Sequence, residues 1–271
     1  MKKTILITGA SSGLGKATAE YFASAGWQVA ATMRTPEKAT TLTEIPGIQI
    51  FKMDVTDNAT ITRAVADIIS TFGKIDVVLN NAGMGRYGAL ELCSEKDIND
   101  IWQTNVQGVV NVIRGVLPHF RANKAGTIIN VGSAMGLTTT MPLLSLYHMT
   151  KYALEGLTEG LYYELKPLNI DVHMIEPGGF PSELNQNLVF HRREDMKEYD
   201  VVTDKIEQLL LHYNDLPLGT VEEIVDVIYA LSERKSTQFR TVIGTAANEL
   251  VARRKSLTDE VFLASSLSYF S

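Results

Sequence analysis

The chain has 271 residues, of which 45% are hydrophobic, and a formal net charge of −6 at pH 7. The negative charge argues against nucleic acid as a partner, because phosphate backbones attract basic surfaces. A lone cysteine, Cys93, excludes a disulfide framework within the chain, and the five histidines show no metal-ligand spacing. We therefore predict a protein with no metal site in a reducing, cytoplasmic setting.

The apolar run that follows Lys2 and Lys3 resembles the start of a secretory signal, but it breaks at Thr8 and Gly9. A signal core needs about 7–15 apolar residues. No window approaches the roughly 18 uninterrupted apolar residues of a membrane-spanning helix. We predict a soluble protein with no membrane partner.

Short apolar segments alternate with helical patterns along the chain. The predicted strands cover 4–8, 28–33, 48–54, 77–80, 127–131, 172–176 and 239–244. Continuous apolar strands of this kind suit a sheet that is covered on both faces. The alternation predicts an α/β fold with a doubly wound parallel sheet of the Rossmann type, with about seven strands and helices on both faces.

Two helices are predicted to begin at capping boxes, in which Ser94 pairs with Asp97 and Thr220 pairs with Glu223. The longest predicted helices cover 94–123, with Pro118 as a kink or an end, and about 146–165. No repeat, low-complexity tract or linker divides the sequence. Residues 1–271 are therefore predicted to form a single domain.

A polar, charged segment at 181–215 separates the sixth predicted strand from the helix that opens at Thr220. In doubly wound folds, long insertions after the carboxyl end of a strand lie over the ligand crevice. We interpret this segment as a substrate lid. A solvated surface excursion is the alternative.

The first strand leads directly into a glycine-rich turn, Thr8-Gly9-Ala10-Ser11-Ser12-Gly13-Leu14-Gly15, and then into a helix. Glycines permit a tight turn and let backbone N–H groups approach a pyrophosphate, and a helix N-terminus favours negative charge. The turn predicts a dinucleotide site. Its predicted contacts are Gly9, Ser11, Ser12, Gly13, Leu14 and Gly15.

Polar and small residues also follow the third and fourth predicted strands. Strand ends line the ligand crevice of such a sheet, where adenine and ribose would lie. The predicted contacts there are Asp54, Val55, Asn81, Ala82 and Gly83, the last three from the segment Asn80-Asn81-Ala82-Gly83. Alternatively, Asp54 caps the helix that begins near Asn58, and the asparagines form a polar turn.

Tyr147 and Lys151 are four residues apart in the predicted helix 146–165, so their side chains share one face. A nearby ammonium group favours the phenolate and lowers the tyrosine pKa from about 10. A tyrosine and a lysine at this spacing are common on solvated helices. Their position after the fifth predicted strand, with Ser133 at the end of that strand, favours a catalytic site.

The glycine spacing Gly-x-x-x-Gly-x-Gly, the Asn-Asn-Ala-Gly segment and the Tyr-x-x-x-Lys pair occur in the order typical of one family. From Lys3 to about Gly244, the sequence resembles the single-domain branch of the short-chain dehydrogenase/reductase family. The resemblance implies an oxidoreductase that interconverts a carbonyl compound and a secondary alcohol by hydride transfer with a nicotinamide cofactor.

The resemblance also implies roles for individual residues. Tyr147 would be the general acid or base. Lys151 would hold the nicotinamide ribose and lower the pKa of Tyr147, so both residues would contact the cofactor. Ser133 would hydrogen-bond the substrate oxygen. Asn105 would connect Lys151 to bulk water through a proton relay.

Two features depart from the family pattern. Ser133 precedes Tyr147 by one residue more than is usual, so the intervening loop is predicted to bulge. The family's Pro-Gly-x-x-x-Thr segment appears as Pro177-Gly178-Gly179-Phe180-Pro181-Ser182, in which Pro181 restricts the backbone. The predicted cofactor contacts in this segment are Pro177, Gly178 and Ser182.

Residue 34 bears on the choice between NADP(H) and NAD(H). An acid about 20 residues beyond the glycine turn usually holds the ribose 2′-hydroxyl of NAD, but the second predicted strand ends in Ala31-Thr32-Met33-Arg34. A guanidinium can instead grip a 2′-phosphate with charge-assisted hydrogen bonds. NADP(H) is therefore the preferred cofactor and NAD(H) a possible one, unless Arg34 pairs with Glu37 on the surface.

Apolar residues are common on the loops that are predicted to meet at the crevice, which indicates a mostly apolar carbonyl or alcohol substrate. They are Met84, Tyr87, Met135, Leu137, Met141, Leu143, Leu144, Phe180, Leu184 and Leu188. Two alternatives to a hydride-transferring enzyme stay open. They are an epimerase or dehydratase of the same family and a non-catalytic nucleotide-sensing protein.

Members of this family commonly pair through two long helices, which correspond here to 94–123 and 146–165. The second predicted helix carries Leu154, Leu157, Leu161 and Leu165 in addition to its active-site face. A helix with apolar residues on more than one side needs more than one partner. We predict a homodimer or a homotetramer.

Overall fold

A parallel sheet lies at the centre of the computed structural model, which describes residues 2–38, 41–181, 190–212 and 218–268. The strands are β1 (Thr4–Thr8), β2 (Gln28–Met33), β3 (Ile48–Lys52), β4 (Val77–Asn80), β5 (Gly126–Val131), β6 (Ile170–Pro177) and β7 (Arg240–Ile243). The order across the sheet is β3-β2-β1-β4-β5-β6-β7, and neighbouring strands are parallel. The predicted doubly wound sheet is confirmed, and β1, β2 and β4 have the predicted bounds.

Helices connect these strands. The α-helices are α1 (Gly13–Ser24), α2 (Asn58–Phe72), α3 (Glu95–Trp102), α4 (Gly108–Asn123), α5 (Ser145–Leu165), α6 (Asp200–Leu211), α7 (Val221–Ser232), α8 (Thr245–Ser256) and α9 (Asp259–Leu267). Short 3₁₀ helices cover Pro36–Lys38, Leu42–Glu44, Leu90–Leu92, Ala134–Gly136, Lys166–Leu168 and Lys197–Tyr199. Within the described ranges, no helix is long and apolar enough to cross a membrane.

An apolar layer covers each face of the sheet, and the alternation along β1 shows how the two layers form. Leu6 packs with residues of α2, α4 and α5, whereas Ile5 and Ile7 pack with residues of α1 and α7 on the opposite face. Successive side chains of a strand point to opposite faces, so a fully buried strand supplies both layers. With both faces covered, the carboxyl ends of the strands are the place where a ligand crevice can form.

Both predicted capping boxes are confirmed. The Ser94 hydroxyl accepts a hydrogen bond from the backbone N–H of Asp97 at 3.1 Å, and the Asp97 carboxylate accepts from the N–H of Ser94 in return. Thr220 and Glu223 make the same reciprocal contacts at the start of α7. These contacts satisfy backbone donors that a helix start leaves without intrahelical partners.

The helix predicted over 94–123 is divided. A π-helical turn, Gln103–Gln107, lies between α3 and α4. Pro118 lies inside α4 and does not end it, because the helix continues to Asn123 and then to Lys124, which has a left-handed φ of 49°. The wider turn at Gln103–Gln107 changes the direction in which its side chains point, which matters for the site described below.

Candidate active site

The glycine-rich turn joins β1 to α1 at the carboxyl edge of the sheet. Gly9 and Gly13 have φ values of 67° and 51°, a conformation that residues with a Cβ rarely adopt. A Cβ at Gly9 would lie 2.9 Å from the Ala82 Cα, and a Cβ at Gly15 would overlap the Gly9 carbonyl oxygen. The Ser12 side chain makes no capping hydrogen bond at the start of α1, and no atom lies within 4 Å of the position that a Cβ at Gly13 would occupy. This helix N-terminus therefore fits an anionic group.

The Asn-Asn-Ala-Gly segment after β4 holds the turn in place. The Asn81 side-chain amide donates to the carbonyl oxygens of Thr8 at 3.0 Å and Gly9 at 3.1 Å. The Thr8 hydroxyl accepts from the Asn81 backbone N–H at 3.0 Å. The Asn80 amide donates to the Asn130 Oδ1 on β5 at 2.8 Å. These bonds fix the ends of β1, β4 and β5 relative to one another.

Arg34 follows β2 and is exposed. Among the described residues it forms no ion pair with Glu37 or with another acid. Sheet order places the end of β2 directly beside the glycine turn after β1. Arg34 therefore follows the carboxyl end of β2 beside the glycine turn, and within the described ranges no carboxylate pairs with it.

Asp54 and Val55 follow β3, as expected, but both are engaged within the chain. One carboxylate oxygen of Asp54 accepts from the backbone N–H of Thr56 at 2.9 Å and from the Thr56 hydroxyl at 2.7 Å. Asp57 caps α2, so the alternative role of Asp54 as the helix cap is wrong. The Val55 carbonyl oxygen accepts from the Asn111 side-chain amide at 3.1 Å, which ties this strand end to α4.

Ser133, Tyr147 and Lys151 come together where β5 ends and α5 begins. The Ser133 side chain lies close enough to the Tyr147 phenol to oppose the rise in its pKa that burial causes. The Lys151 Nζ lies 5.5 Å from the centre of the Tyr147 ring and donates to the Val131 carbonyl oxygen at 2.9 Å. The hydroxyl, phenol and ammonium that the sequence motif predicts are thus neighbours in space.

The loop between Ser133 and Tyr147 contains the additional residue noted in the sequence. Within it, Leu143 has a left-handed φ of 65°, which is uncommon for a residue with a branched side chain. The Leu143 carbonyl oxygen accepts from the Gly88 N–H at 2.8 Å, and its side chain packs in a cluster with Tyr87. These contacts hold the strained turn in place.

Burial governs the ionisation of Tyr147 and Lys151. Burial raises the pKa of Tyr147 to about 12; the Ser133 hydroxyl opposes this shift, and Glu176 would add to it only in its ionised form. Burial also lowers the pKa of Lys151 to about 8, a shift that Glu176 would oppose only in its ionised form. The helical spacing predicts that Lys151 lowers the tyrosine pKa. In the structure, loss of solvation outweighs any such effect, because the charged forms of both groups are poorly hydrated.

Asn105 lies in the π-helical turn and is 1% exposed. Its side-chain amide accepts from the Met84 N–H at 2.8 Å and donates to the Met84 carbonyl at 2.9 Å and to the Thr150 hydroxyl at 3.1 Å. Thr150 directly precedes Lys151. Within the described residues Asn105 makes no direct hydrogen bond to Lys151, so the implied relay would require an intermediate group.

An apolar cluster packs around Tyr147. Its buried members are Tyr87, Ala89, Leu92, Leu143, Leu144 and Ile206, and its partly buried members include Met141, Phe190, Met196, Tyr199, Val202 and Leu210. Residues 190–212, the described part of the predicted lid, contain α6 and contribute half of this cluster. The rings of Tyr87 and Phe190 are 5.5 Å apart. The described part of the segment thus packs in the same apolar cluster as Tyr147.

Other predicted contacts lie elsewhere. Leu137 and Phe180 join separate apolar clusters. Gly178 packs at the junction of β7 and α8, where its N–H donates to the Ile243 carbonyl at 2.9 Å and a Cβ would lie 2.7 Å from the Ala247 side chain. Pro177 ends β6. Ser182, Leu184 and Leu188 lie outside the described residues.

Sequence reasoning missed a buried acidic pair that adjoins the site. The Glu176 carboxyl, on β6, accepts from the backbone N–H of Ser133 at 2.8 Å. The neighbouring Glu155 on α5 raises the pKa of Glu176 in addition to burial, and Glu155 accepts from the Arg240 Nε at 2.8 Å. A glutamate at the end of an otherwise apolar strand, directly before Pro177, is the sequence feature that could have identified it.

A family model described as short chain dehydrogenase matches residues 3–193. A 3-ketodihydrosphingosine reductase from Bacteroides thetaiotaomicron is 34% identical over 267 residues, which cover 98% of this chain and 97% of that protein.

Two solved structures share the fold over most of its length. A short-chain dehydrogenase from Streptomyces avermitilis has a TM-score of 0.82 and 30% identity, over 94% of this chain and 93% of that one. A 3-ketoacyl-(acyl-carrier-protein) reductase from Brucella melitensis, complexed with NADH, has a TM-score of 0.74 and 27% identity, over 89% of this chain and 96% of that one. The chain belongs to the short-chain dehydrogenase/reductase family.

Proposed function

We propose that this protein is an oxidoreductase that interconverts a mostly apolar carbonyl compound and the corresponding secondary alcohol with NADP(H). One observation carries the proposal. The Tyr147 phenol lies close enough to Ser133 for that hydroxyl to oppose the rise in its pKa that burial causes, one helical turn from Lys151 and packed in an apolar cluster. Two hydroxyls that converge on one point can hold a carbonyl oxygen, and the phenol can supply its proton.

The crevice fits a nicotinamide dinucleotide. The open N-terminus of α1 suits a pyrophosphate, and the similar Brucella melitensis structure contains NADH. When bound, this cofactor would supply or accept the hydride. Preference for NADP(H) rests on Arg34. The proposed contacts are Gly9, Ser11, Ser12, Gly13, Leu14, Gly15, Arg34, Asp54, Val55, Asn81, Ala82, Gly83, Tyr147, Lys151, Pro177, Gly178 and Ser182.

The residues of the site divide the proton chemistry among them. Ser133 would hold the carbonyl oxygen, and Tyr147 would donate its proton to that oxygen as negative charge develops there. The raised pKa keeps the Tyr147 phenol protonated at neutral pH, which suits the direction of carbonyl reduction. Lys151 would stabilise the resulting phenolate, and Asn105 would position Thr150 and Met84 beside the proton path.

The apolar cluster around Tyr147 supports a substrate with a substantial apolar part. The similar Bacteroides thetaiotaomicron protein is named a 3-ketodihydrosphingosine reductase, which also supports a ketone with an apolar part. We propose that the segment 181–215 covers this substrate and that residues 1–271 act as one domain.

A spectrophotometric assay tests the proposed function. Purified protein is expected to consume NADPH with long-chain apolar ketones, and more slowly with small polar ketones, because only the former bury apolar surface in the cluster. Loss of NADPH absorbance measures the reaction, and NADP⁺ reduction by the matching alcohols measures its reverse. Cofactor binding without turnover of any carbonyl or alcohol in the panel would contradict the proposal and favour a nucleotide-sensing role.

We also propose a homodimer or homotetramer that forms through α4 and α5. The leucines of α5 were expected to leave an apolar face for a partner, but they pack against the chain's own core. The exposed apolar side chains of α5 are Met149, Tyr152 and Tyr163, of which Tyr163 is 69% exposed. Light scattering at micromolar concentration is expected to report an oligomer, and Tyr163→Asp is expected to weaken it. A monomeric wild-type chain would contradict this proposal.

A further inference from the structure

Glu176 and Glu155 form a buried carboxyl pair beside the proposed catalytic residues. Glu176 is fully buried, and Glu155 lies four residues after Lys151 on α5 with 8% exposure. After burial, the neighbouring Glu155 carboxyl is the main cause that raises the pKa of Glu176. Within the described residues, the Oε1 atom of each has no donor partner. Ionised carboxylates only accept hydrogen bonds, so the pair is satisfied only if it contains one proton.

The surroundings indicate which of the two carries the proton. Arg240 donates to Glu155 at 2.8 Å and also to Glu159 at 3.2 Å, so Glu155 has a cation as its direct partner. The corresponding partner of Glu176 is the neutral backbone N–H of Ser133 at 2.8 Å. A hydrogen bond from a guanidinium stabilises an ionised carboxylate more than a hydrogen bond from a backbone N–H does. The proton therefore belongs on Glu176.

The charged and titratable groups around Glu176 come from two elements. From α5 these are Glu155, Lys151 and Tyr147, and from β7 the guanidinium of Arg240 acts through Glu155. Glu155 in turn lies within electrostatic range of Tyr152. Burial and Glu155 raise the pKa of Glu176 to about 10, and Lys151 and the Ser133 N–H oppose this shift only in part.

We propose that Glu176 is a positioning residue that stays a neutral acid at neutral pH, donating its proton to Glu155 while it holds Ser133. Its catalytic meaning rests on the proposed oxidoreductase function. In the neutral form, Glu176 adds no negative charge beside Lys151, so the ammonium acts fully on the Tyr147 phenolate. Space for the carboxyl is preserved by Gly132, because a Cβ there would overlap Glu176 Oε1.

Glu176→Gln tests the protonation state without any need for catalysis. The amide reproduces the donor and the acceptor of the neutral acid. The folded wild-type chain keeps a proton that the unfolded chain releases once the pH exceeds about 4.3. Wild-type stability relative to Glu176→Gln is therefore expected to fall between about pH 5 and about pH 9, by up to about tenfold in the unfolding constant per pH unit. Denaturant titrations at several pH values measure this difference.

Glu164→Gln is the matched control, because it removes an exposed carboxyl from the same helix. The difference in the free energy of unfolding between Glu164→Gln and wild type is not expected to increase with pH. A constant difference between wild type and Glu176→Gln would overturn the proposal. If Glu176→Gln does not fold, infrared spectra of the wild type near about pH 8 decide the question. A protonated carboxyl C=O band would support the proposal, and its absence would overturn it.

The pH profile of alcohol oxidation tests the catalytic part. The leucine of Glu176→Leu cannot accept the hydrogen bond that the Ser133 backbone N–H donates to Glu176, so Ser133 is expected to shift. We expect kcat to fall by about 10- to 100-fold with little change in KM. Glu176→Gln is expected to restore most of that loss and to keep the wild-type pH midpoint. A midpoint displaced to lower pH would mean that wild-type Glu176 is ionised, which overturns the proposal. If no carbonyl or alcohol is turned over, the proposed function fails, while the stability and infrared results still report on Glu176.

Discussion

Replacing Tyr147 with phenylalanine is expected to lower the turnover of carbonyl reduction by at least about 10²–10⁴-fold, the range typical of general acid–base catalysis. Phenylalanine keeps the ring that packs in the apolar cluster and faces Lys151, but it removes the hydroxyl beside Ser133. Cofactor binding should therefore stay nearly intact. Steady-state kinetics measures the loss of turnover, and fluorescence titration with NADPH measures the binding.

Two further variants show whether that loss is specific. Lys151→Met is expected to lose turnover and cofactor affinity together, because Lys151 is proposed to contact the ribose as well as to stabilise the phenolate. Tyr21→Phe removes a hydroxyl from α1, away from the site, and is expected to behave like wild type. A Tyr147→Phe enzyme that retained more than about a tenth of wild-type turnover would exclude Tyr147 as the acid.

The sheet could be predicted because a doubly covered strand has a simple sequence pattern. A short continuous apolar run between turn residues gave β1, β2 and β4 with their observed bounds. β6 extends beyond the predicted 172–176 at both ends. Asp171 pairs in register with Thr127 on β5, and Pro177 pairs with Ile243 on β7. A prediction from hydropathy places the end of a strand at the first polar residue. The observed strand is longer because its backbone stays hydrogen-bonded to the neighbouring strands beyond that residue.

The helix α6 shows what local patterns could not supply. It lies in the polar, charged stretch that is interpreted as a substrate lid, and its buried positions are Thr203 and Ile206. Ile206 packs with Tyr87 and Leu143, residues that are distant in the sequence. The π-helical turn around Asn105 is also set by distant partners, Met84 and Thr150. Such non-local contacts are absent from sequence periodicity.

The site divides in the same way. Spacing predicted that Tyr147 and Lys151 would be neighbours, because positions four apart on a helix share a face. Spacing could not predict their ionisation, which depends on burial by residues of other elements and on the Glu176 carboxyl of β6. Residue identity thus gave the candidate chemistry, and the tertiary environment sets the pKa values.

Cofactor preference is expected to depend on Arg34. If its guanidinium contributes about 1.5–3 kcal/mol, as hydrogen bonds to charged groups usually do, binding of NADPH should exceed that of NADH by roughly 10–150-fold. The exposed guanidinium follows β2 beside the glycine turn, and in the described chain no ion pair with Glu37 competes for it. Arg34→Ala should remove most of the preference by weakening NADPH binding while NADH binding stays nearly unchanged.

Titration of both reduced cofactors into wild type and variants measures this preference. Arg63→Ala, which removes an exposed guanidinium from α2, controls for the loss of one positive charge and should leave the ratio of affinities unchanged. Arg34→Lys should give an intermediate preference, because an ammonium attracts the 2′-phosphate but cannot bind it in a bidentate manner. Equal wild-type affinities, or an Arg34→Ala chain that still favours NADPH as strongly, would show that the 2′-phosphate is recognised elsewhere. Added salt should reduce the wild-type preference for NADPH over NADH. Salt screens the attraction between exposed charges, and the Debye length is about 10 Å at 0.1 M ionic strength.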